Sequence, residues 1–174
     1  MRTTNYKLQT NSGYTLVEAI VYVAILAILS VVFINLLLTM TRSYAEFRIT
    51  RNLNTSAQAA MERLVRSIRN ATSVDISSTL GTNPGRLVLN TLDGSGDPLT
   101  IDFYLSDDTL MVKEGSGAAA STTAKYVTVD NLIFRKLTTP VSSVVKIEMT
   151  LGVNHGAINK TAKFYSTAVL RGSY

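Results

Sequence analysis

Gly13-Tyr14-Thr15-Leu16-Val17-Glu18, followed by AIVYVAILAILSVVFINLLLTMT at residues 19–41, is the stretch from which the architecture of this 174-residue chain can be read. Residues 19–41 carry no charge, and Asn35 is their one amide. As a helix, about 23 residues at 1.5 Å each reach roughly 34 Å, enough to cross a hydrocarbon core of about 30 Å. A buried core helix rarely runs so long without a charge, so the stretch reads as a membrane span. Ahead of it lies a polar, weakly basic segment holding Arg2 and Lys7 and ending at Gly13. A secretory signal peptide has the opposite order, an apolar core of 7–15 residues followed by a small-residue cleavage site. Ordinary secretion is therefore not expected. Basic residues flank the span on both sides, so charge alone does not orient it.

The junction itself is more specific. A glycine, an aromatic, Thr-Leu, an aliphatic and a glutamate, in that order and directly before an uninterrupted apolar run, resemble the N-terminal motif of type IV pilins and type II secretion pseudopilins. The resemblance implies that a prepilin peptidase cuts between Gly13 and Tyr14, and that the new amine of Tyr14 is N-methylated. The family usually has Phe where this chain has Tyr14. The resemblance also gives Glu18 a role in assembly and register, by pairing with the Tyr14 amine of its own or a neighbouring subunit. Physical reasoning agrees, because a carboxylate within an apolar helix costs about 2.5–3.5 kcal/mol at the bilayer centre and needs a cation when buried. The alternative is a helix-start glutamate that complements the macrodipole. Major subunits of the family usually carry proline at the position held here by Asn35. Proline would remove a backbone hydrogen bond and kink the helix; asparagine removes none. A straighter helix is expected, and a minor rather than a major subunit.

Beyond the span, Tyr44, Phe47 and Arg51 and the set Ala57, Ala60, Met61, Leu64 and Ile68 recur at spacings of three and four. This is one face of an amphipathic helix. No Pro or Gly interrupts residues 14–80, and Asn70-Ala71-Thr72-Ser73 reads as the helix end. The net charge of +5 is concentrated here: Arg42, Arg48, Arg51, Arg63, Arg66 and Arg69 face only Glu46 and Glu62, whereas the rest of the chain after Asn70 is balanced. Such a stem suits contact with anionic lipid or DNA, or is simply a solvated face.

After Asn70 the hydrophobic period changes from 3.6 to 2. Leu99, Ile101, Phe103 and Leu105 alternate with polar residues, and Ser106-Asp107-Asp108-Thr109 then turns the chain into Leu110–Lys113. Val145, Ile147, Met149 and Leu151 form the cleanest alternation, and Phe164, Ala168 and Leu170 a final one. Residues 86–92 and 126–137 complete the sheet, with glycine-rich loops at 81–85, 93–98 and 115–117. No helix separates the strands, so the sheet is mostly antiparallel. The expected fold is α+β and pilin-like, with one long N-terminal helix packed on that sheet. The expected organisation is a leader at 1–13, a transmembrane and filament-core helix at 14–41, an amphipathic stem at 42–72 and a β-rich head at 73–174. The strand succession, the missing proline and the last strand ending in Arg171 most resemble J-type minor pseudopilins and related minor pilins.

The chemistry-bearing residues are few. The chain has no cysteine, which excludes disulfides, thiolate metal sites and a cysteine nucleophile. Its single histidine, His155, falls in Gly152-Val-Asn-His-Gly156, read as a turn, without a second histidine to build a metal site or triad. Asp93 and Asp97 flank glycines and offer oxygen ligands to calcium, but they lack the spacing of an EF-hand, and Asp-Gly turn chemistry explains them better. With no phosphate loop and no nucleophile elbow, neither an enzyme nor a cofactor is expected. The expected partners are other pilins or pseudopilins through the N-terminal helix, the prepilin peptidase and an inner-membrane assembly platform. A single-pass protein of the inner membrane with its C-terminal head outside the cytoplasm follows from the resemblance. Two rivals remain: a DNA-binding minor pilin of uptake machinery, and a membrane-anchored β-domain that binds or catalyses.

Overall fold

The computed structural model describes residues 13, 15–139, 142–155 and 158–171. Helix α1 (Leu16–Asn70) is followed by β1 (Ser73–Val74), β2 (Leu87–Leu92), β3 (Pro98–Ser106), β4 (Thr109–Glu114), β5 (Ala120–Ser121), β6 (Thr128–Thr138), β7 (Ser143–His155) and β8 (Ile158–Val169). The chain divides into two units, Met1–Ala45 and Glu46–Tyr174.

In the first unit the helix starts at Leu16 and is uninterrupted at Asn35. Its apolar side chains, from Leu16 to Met40, are exposed. Among the described residues, α1 is the one helix long and apolar enough to cross a membrane. Its hydroxyls return to their own helix: Ser30 donates to the Leu26 carbonyl at 2.7 Å, Thr39 to Asn35 at 2.9 Å and Thr41 to Leu37 at 2.8 Å. A helix in hydrocarbon needs that internal satisfaction, because lipid offers polar groups no partner.

In the second unit the helix turns one face inward. Ile49, Leu53, Ser56, Ala57, Ala60, Leu64, Ser67 and Ile68 are buried, at steps of three and four. Phe47 and Arg51, expected on this face, are exposed, whereas Tyr44, expected on it too, falls in the first unit. At 100° per residue, Phe47 lies about 200° from Ile49, and Arg51 the same from both Ile49 and Leu53, so they point away. Ala57 and Ala60, fully buried, carry little bulk and let the helix approach the strands closely. Leu64 and Ile68 join Leu87, Leu89, Phe103, Leu110, Leu132, Phe134, Ile147 and Leu151 in one apolar cluster.

Neighbouring strands all run antiparallel, as expected, but hydrogen bonding sorts them into two sheets. One has the order β1-β2-β3-β4-β5 and the other β6-β7-β8. The dividing point is the loop before β2. Gly81 donates to the Phe134 carbonyl and Gly85 to the Leu132 carbonyl, both at 2.8 Å, while Leu132 donates to Asn83 Oδ1 at 2.9 Å. The loop therefore occupies the outer edge of β6. Gly85 is required there, since a Cβ would lie 2.9 Å from the Leu132 carbonyl oxygen. The β3–β4 hairpin turns through Asp107 (φ 48°) and Asp108 (φ 55°), the left-handed pair that a two-residue connection favours and that Asp tolerates.

The alternations place Val145, Ile147, Met149 and Leu151 of β7, Ala168 of β8 and Leu170 just after it in the core. The reading of Gly152–His155 as a turn is also overturned: these residues are strand. β7 continues in register with β8 down to His155 opposite Ile158. Gly152 is kept in the ladder by close packing, because a Cβ there would stand 2.7 Å from Asp130 Oδ2 at the bulge in β6. β1 and β5, two residues each, were not foreseen; they are too short to show any period.

Candidate functional site

The start of α1 is built by a short capping arrangement. Thr15 precedes the helix, its carbonyl accepts the Ala19 N–H at 3.1 Å, and its Oγ1 accepts the Glu18 N–H at 3.3 Å. Thr-x-x-Glu at a helix start is the sequence pattern of a capping box, which satisfies backbone donors that the first turn leaves open. Glu18 is the acid of that first turn and is half-buried. Its Oε1 accepts a hydrogen bond from the Tyr22 hydroxyl at 2.9 Å, one helical turn on. Gly13 is exposed, and a Cβ there would meet nothing within 4 Å. Packing does not demand glycine at that position. Tyr14, expected to carry the new amine, lies outside the described residues, as do residues 1–12.

Residues 8–34 match the family model described as the prokaryotic N-terminal methylation motif. The chain carries the type IV pilin and pseudopilin signature. That motif supports a pilin-like protein, of the kind in which prepilin peptidase processing and assembly with other pilins are implied. The motif and the apolar helix fit a membrane-anchored subunit of a filament. No curated protein and no solved structure matches the chain. The motif spans Gly13, Tyr14 and the first part of the helix; it does not reach the β-rich head.

On the stem of the pilin-like chain, two arginines are engaged: Arg63 pairs with Glu114 of β4, and Arg66 with Glu62 at 2.5 Å. Both pairs are exposed and contribute at most about 1 kcal/mol each. Among the described residues no carboxylate lies within ion-pairing distance of Arg48, Arg51 or Arg69. The six arginines are therefore not one equivalent basic strip.

In the head, acidic side chains are turned to structural work. Asp93 Oδ1 accepts the backbone N–H of Ser95 at 2.8 Å and of Asp97 at 2.9 Å. The bond from Asp97, with that from Ser95, holds the Asp93 carboxyl below the usual carboxylate range. Asp75 is lowered in the same way by the Ser77 N–H, the Ser77 hydroxyl and the Asn90 amide. Among the described residues no group of three or more His, Asp or Glu is placed to hold a metal ion. One depression on the three-stranded sheet gathers Asn131, Glu148, Thr150, Lys163 and Tyr165. Its carboxylate is already committed, since Glu148 meets Lys146 at 2.9 Å and Arg135 at 3.3 Å. These contacts, led by the hydrogen bond from Lys146, lower its carboxyl too.

The Tyr22–Glu18 contact was not anticipated. Its signal was present as a Glu and a Tyr four apart on a helix, the spacing at which side chains meet.

Proposed function

We propose that this chain is a minor pilin or pseudopilin, most like the J-type minor subunits, in a type II secretion or type IV pilus-like machine. Prepilin peptidase cuts between Gly13 and Tyr14, and the Tyr14 amine is methylated. Glu18 then pairs with that amine, on its own or an adjacent subunit, and so sets the register of helix packing. The subunit sits in the inner membrane with the head outside the cytoplasm until an assembly platform, driven by a cytoplasmic ATPase, moves it into the filament.

The observation that carries this reading is the matched motif at residues 8–34, with Glu18 in the first turn of a helix whose next residues, 19–41, are uncharged. An acid placed there needs a cation once helices pack around it, and trimming at Gly13 creates one. Asn35, where major subunits usually have proline, favours a minor subunit. Glu18→Ala tests the pairing: cleavage should persist while incorporation into filaments falls. Unchanged incorporation would contradict the role given to Glu18.

A second reading, DNA uptake, is favoured by Arg48, Arg51 and Arg69, which have no acidic partner among the described residues; the same groups suit anionic headgroups. If uptake is the role, neutralising these three should abolish it while leaving filaments intact. Loss of both together would point to assembly instead.

A further inference from the structure

We infer that Tyr22 is the positioning residue for Glu18: its hydroxyl fixes the carboxylate through one oxygen and leaves the other for the cation met on assembly. The inference rests on the pairing role proposed for Glu18.

The other hydroxyls described within residues 19–41, on Ser30, Thr39 and Thr41, donate to carbonyls of their own helix, as short side chains in an apolar stretch do. A tyrosine hydroxyl sits at the far end of a ring and is carried past its own backbone. Here the Tyr22 hydroxyl meets Glu18 Oε1 at 2.9 Å. Each group answers a need of the other. Once helices pack around the pair, the hydroxyl keeps a partner and the carboxylate recovers part of the hydration that packing removes.

The contact also restricts geometry. A glutamate side chain has three rotatable bonds, and a free one spreads its carboxylate over many rotamers. Bound to a tyrosine one turn on, the carboxylate is held along the helix. A carboxylate accepts at about four lone-pair sites, so one donor on Oε1 leaves Oε2 able to receive an ammonium group. Thr15 fixes the other end of the segment, because its Oγ1 holds the Glu18 N–H. Backbone and side chain of Glu18 are thus pinned separately, by Thr15 and by Tyr22. Preorganisation of this kind lowers the ordering cost of a later ion pair.

Tyr22→Phe removes one oxygen atom and keeps the ring. In the full chain, expressed with its own assembly machinery, cleavage at Gly13 should be unchanged. Incorporation into sheared filaments should fall about tenfold, the order expected for one hydrogen bond to a charged group. The double variant Tyr22→Phe/Glu18→Ala should incorporate no less than Glu18→Ala alone, since Tyr22 acts through Glu18. Wild-type incorporation of Tyr22→Phe beside a defective Glu18→Ala would overturn the positioning role and leave the pairing intact. A double variant lower than Glu18→Ala by the full Tyr22→Phe factor would show that the ring packs on its own account, and would overturn it too. If Glu18→Ala itself incorporated normally, the pairing would fail and this inference with it. Infrared difference spectra of the chain in bilayers, with glutamate carboxylates carrying ¹³C, supply a readout independent of assembly. The antisymmetric carboxylate band should shift in Tyr22→Phe, whereas an unshifted band would mean that the hydrogen bond is not made.

Discussion

Leu53 and Phe47 lie six residues apart on the same helix, and truncating each to alanine should give opposite results. Leu53 keeps 2% of its surface exposed and faces the core of the head, whereas Phe47 keeps 80%. Burying a leucine fully is worth about 1.5–3 kcal/mol, and the cavity left by truncation brings the cost of Leu53→Ala to about 2–5 kcal/mol. Folding removes only about a fifth of the Phe47 surface from water. A fifth of roughly 3 kcal/mol leaves about 0.5 kcal/mol for Phe47→Ala, within the range of ordinary surface changes. For a unit of this size, 3 kcal/mol lowers Tm by roughly 10 °C, and 0.5 kcal/mol by about 2 °C. Thermal unfolding of the detergent-solubilised chain, followed by the β-sheet circular dichroism signal, reads both shifts. Equal losses, or a larger loss at Phe47, would refute the assignment of the buried face to Ile49, Leu53, Ala57 and Leu64.

That pair also shows how far the sequence could be read. The apolar run, its helix and the alternations of β3, β7 and β8 were legible because each has many residues in one period. The register of the stem was not. Tyr44 and Phe47 are large and apolar and drew the stripe towards them, yet Ile49 and Leu53 begin the buried face. Hydrophobicity identifies candidates, but a helix turning 100° per residue decides which of them meet the sheet. The division into two sheets was hidden for another reason, since the loop at 81–85 closes over β6 through hydrogen bonds to the β6 backbone, and no side-chain period records those. The glycines at 152 and 156 suggest a turn at His155, whereas Gly152 is a strand residue kept small by Asp130. At the candidate site, Gly13, Tyr14 and Glu18 were readable as a motif. The hydrogen bond from Tyr22 depends on the rotamers of both side chains, which no motif records.

Gly85→Ala should destabilise the head by about 1–3 kcal/mol, because its Cβ would press on the Leu132 carbonyl and lift the loop from β6; denaturant unfolding measures it. Asp75, Asp93 and Glu148 all have lowered carboxyl pKa values in the fold. Each therefore contributes stability that is fully present above the unfolded value, about 4, and is lost as pH falls through the folded value. Tm should hold at neutral pH and decline below about pH 4, less steeply in Asp93→Asn. Asp108→Gly should leave the β3–β4 hairpin unchanged or stabilise it by up to about 1 kcal/mol, since glycine adopts the left-handed conformation without strain. A loss of stability would mean that the Asp108 side chain has a role beyond the turn.

Assembly depends first on what becomes of the N-terminus. Mass spectrometry of the chain recovered from assembled filaments should find a terminal peptide that begins at Tyr14 and carries one methyl group on its amine. A terminal peptide that still contains Met1 and runs through Gly13 would contradict processing, and with it the cation that Glu18 is proposed to meet.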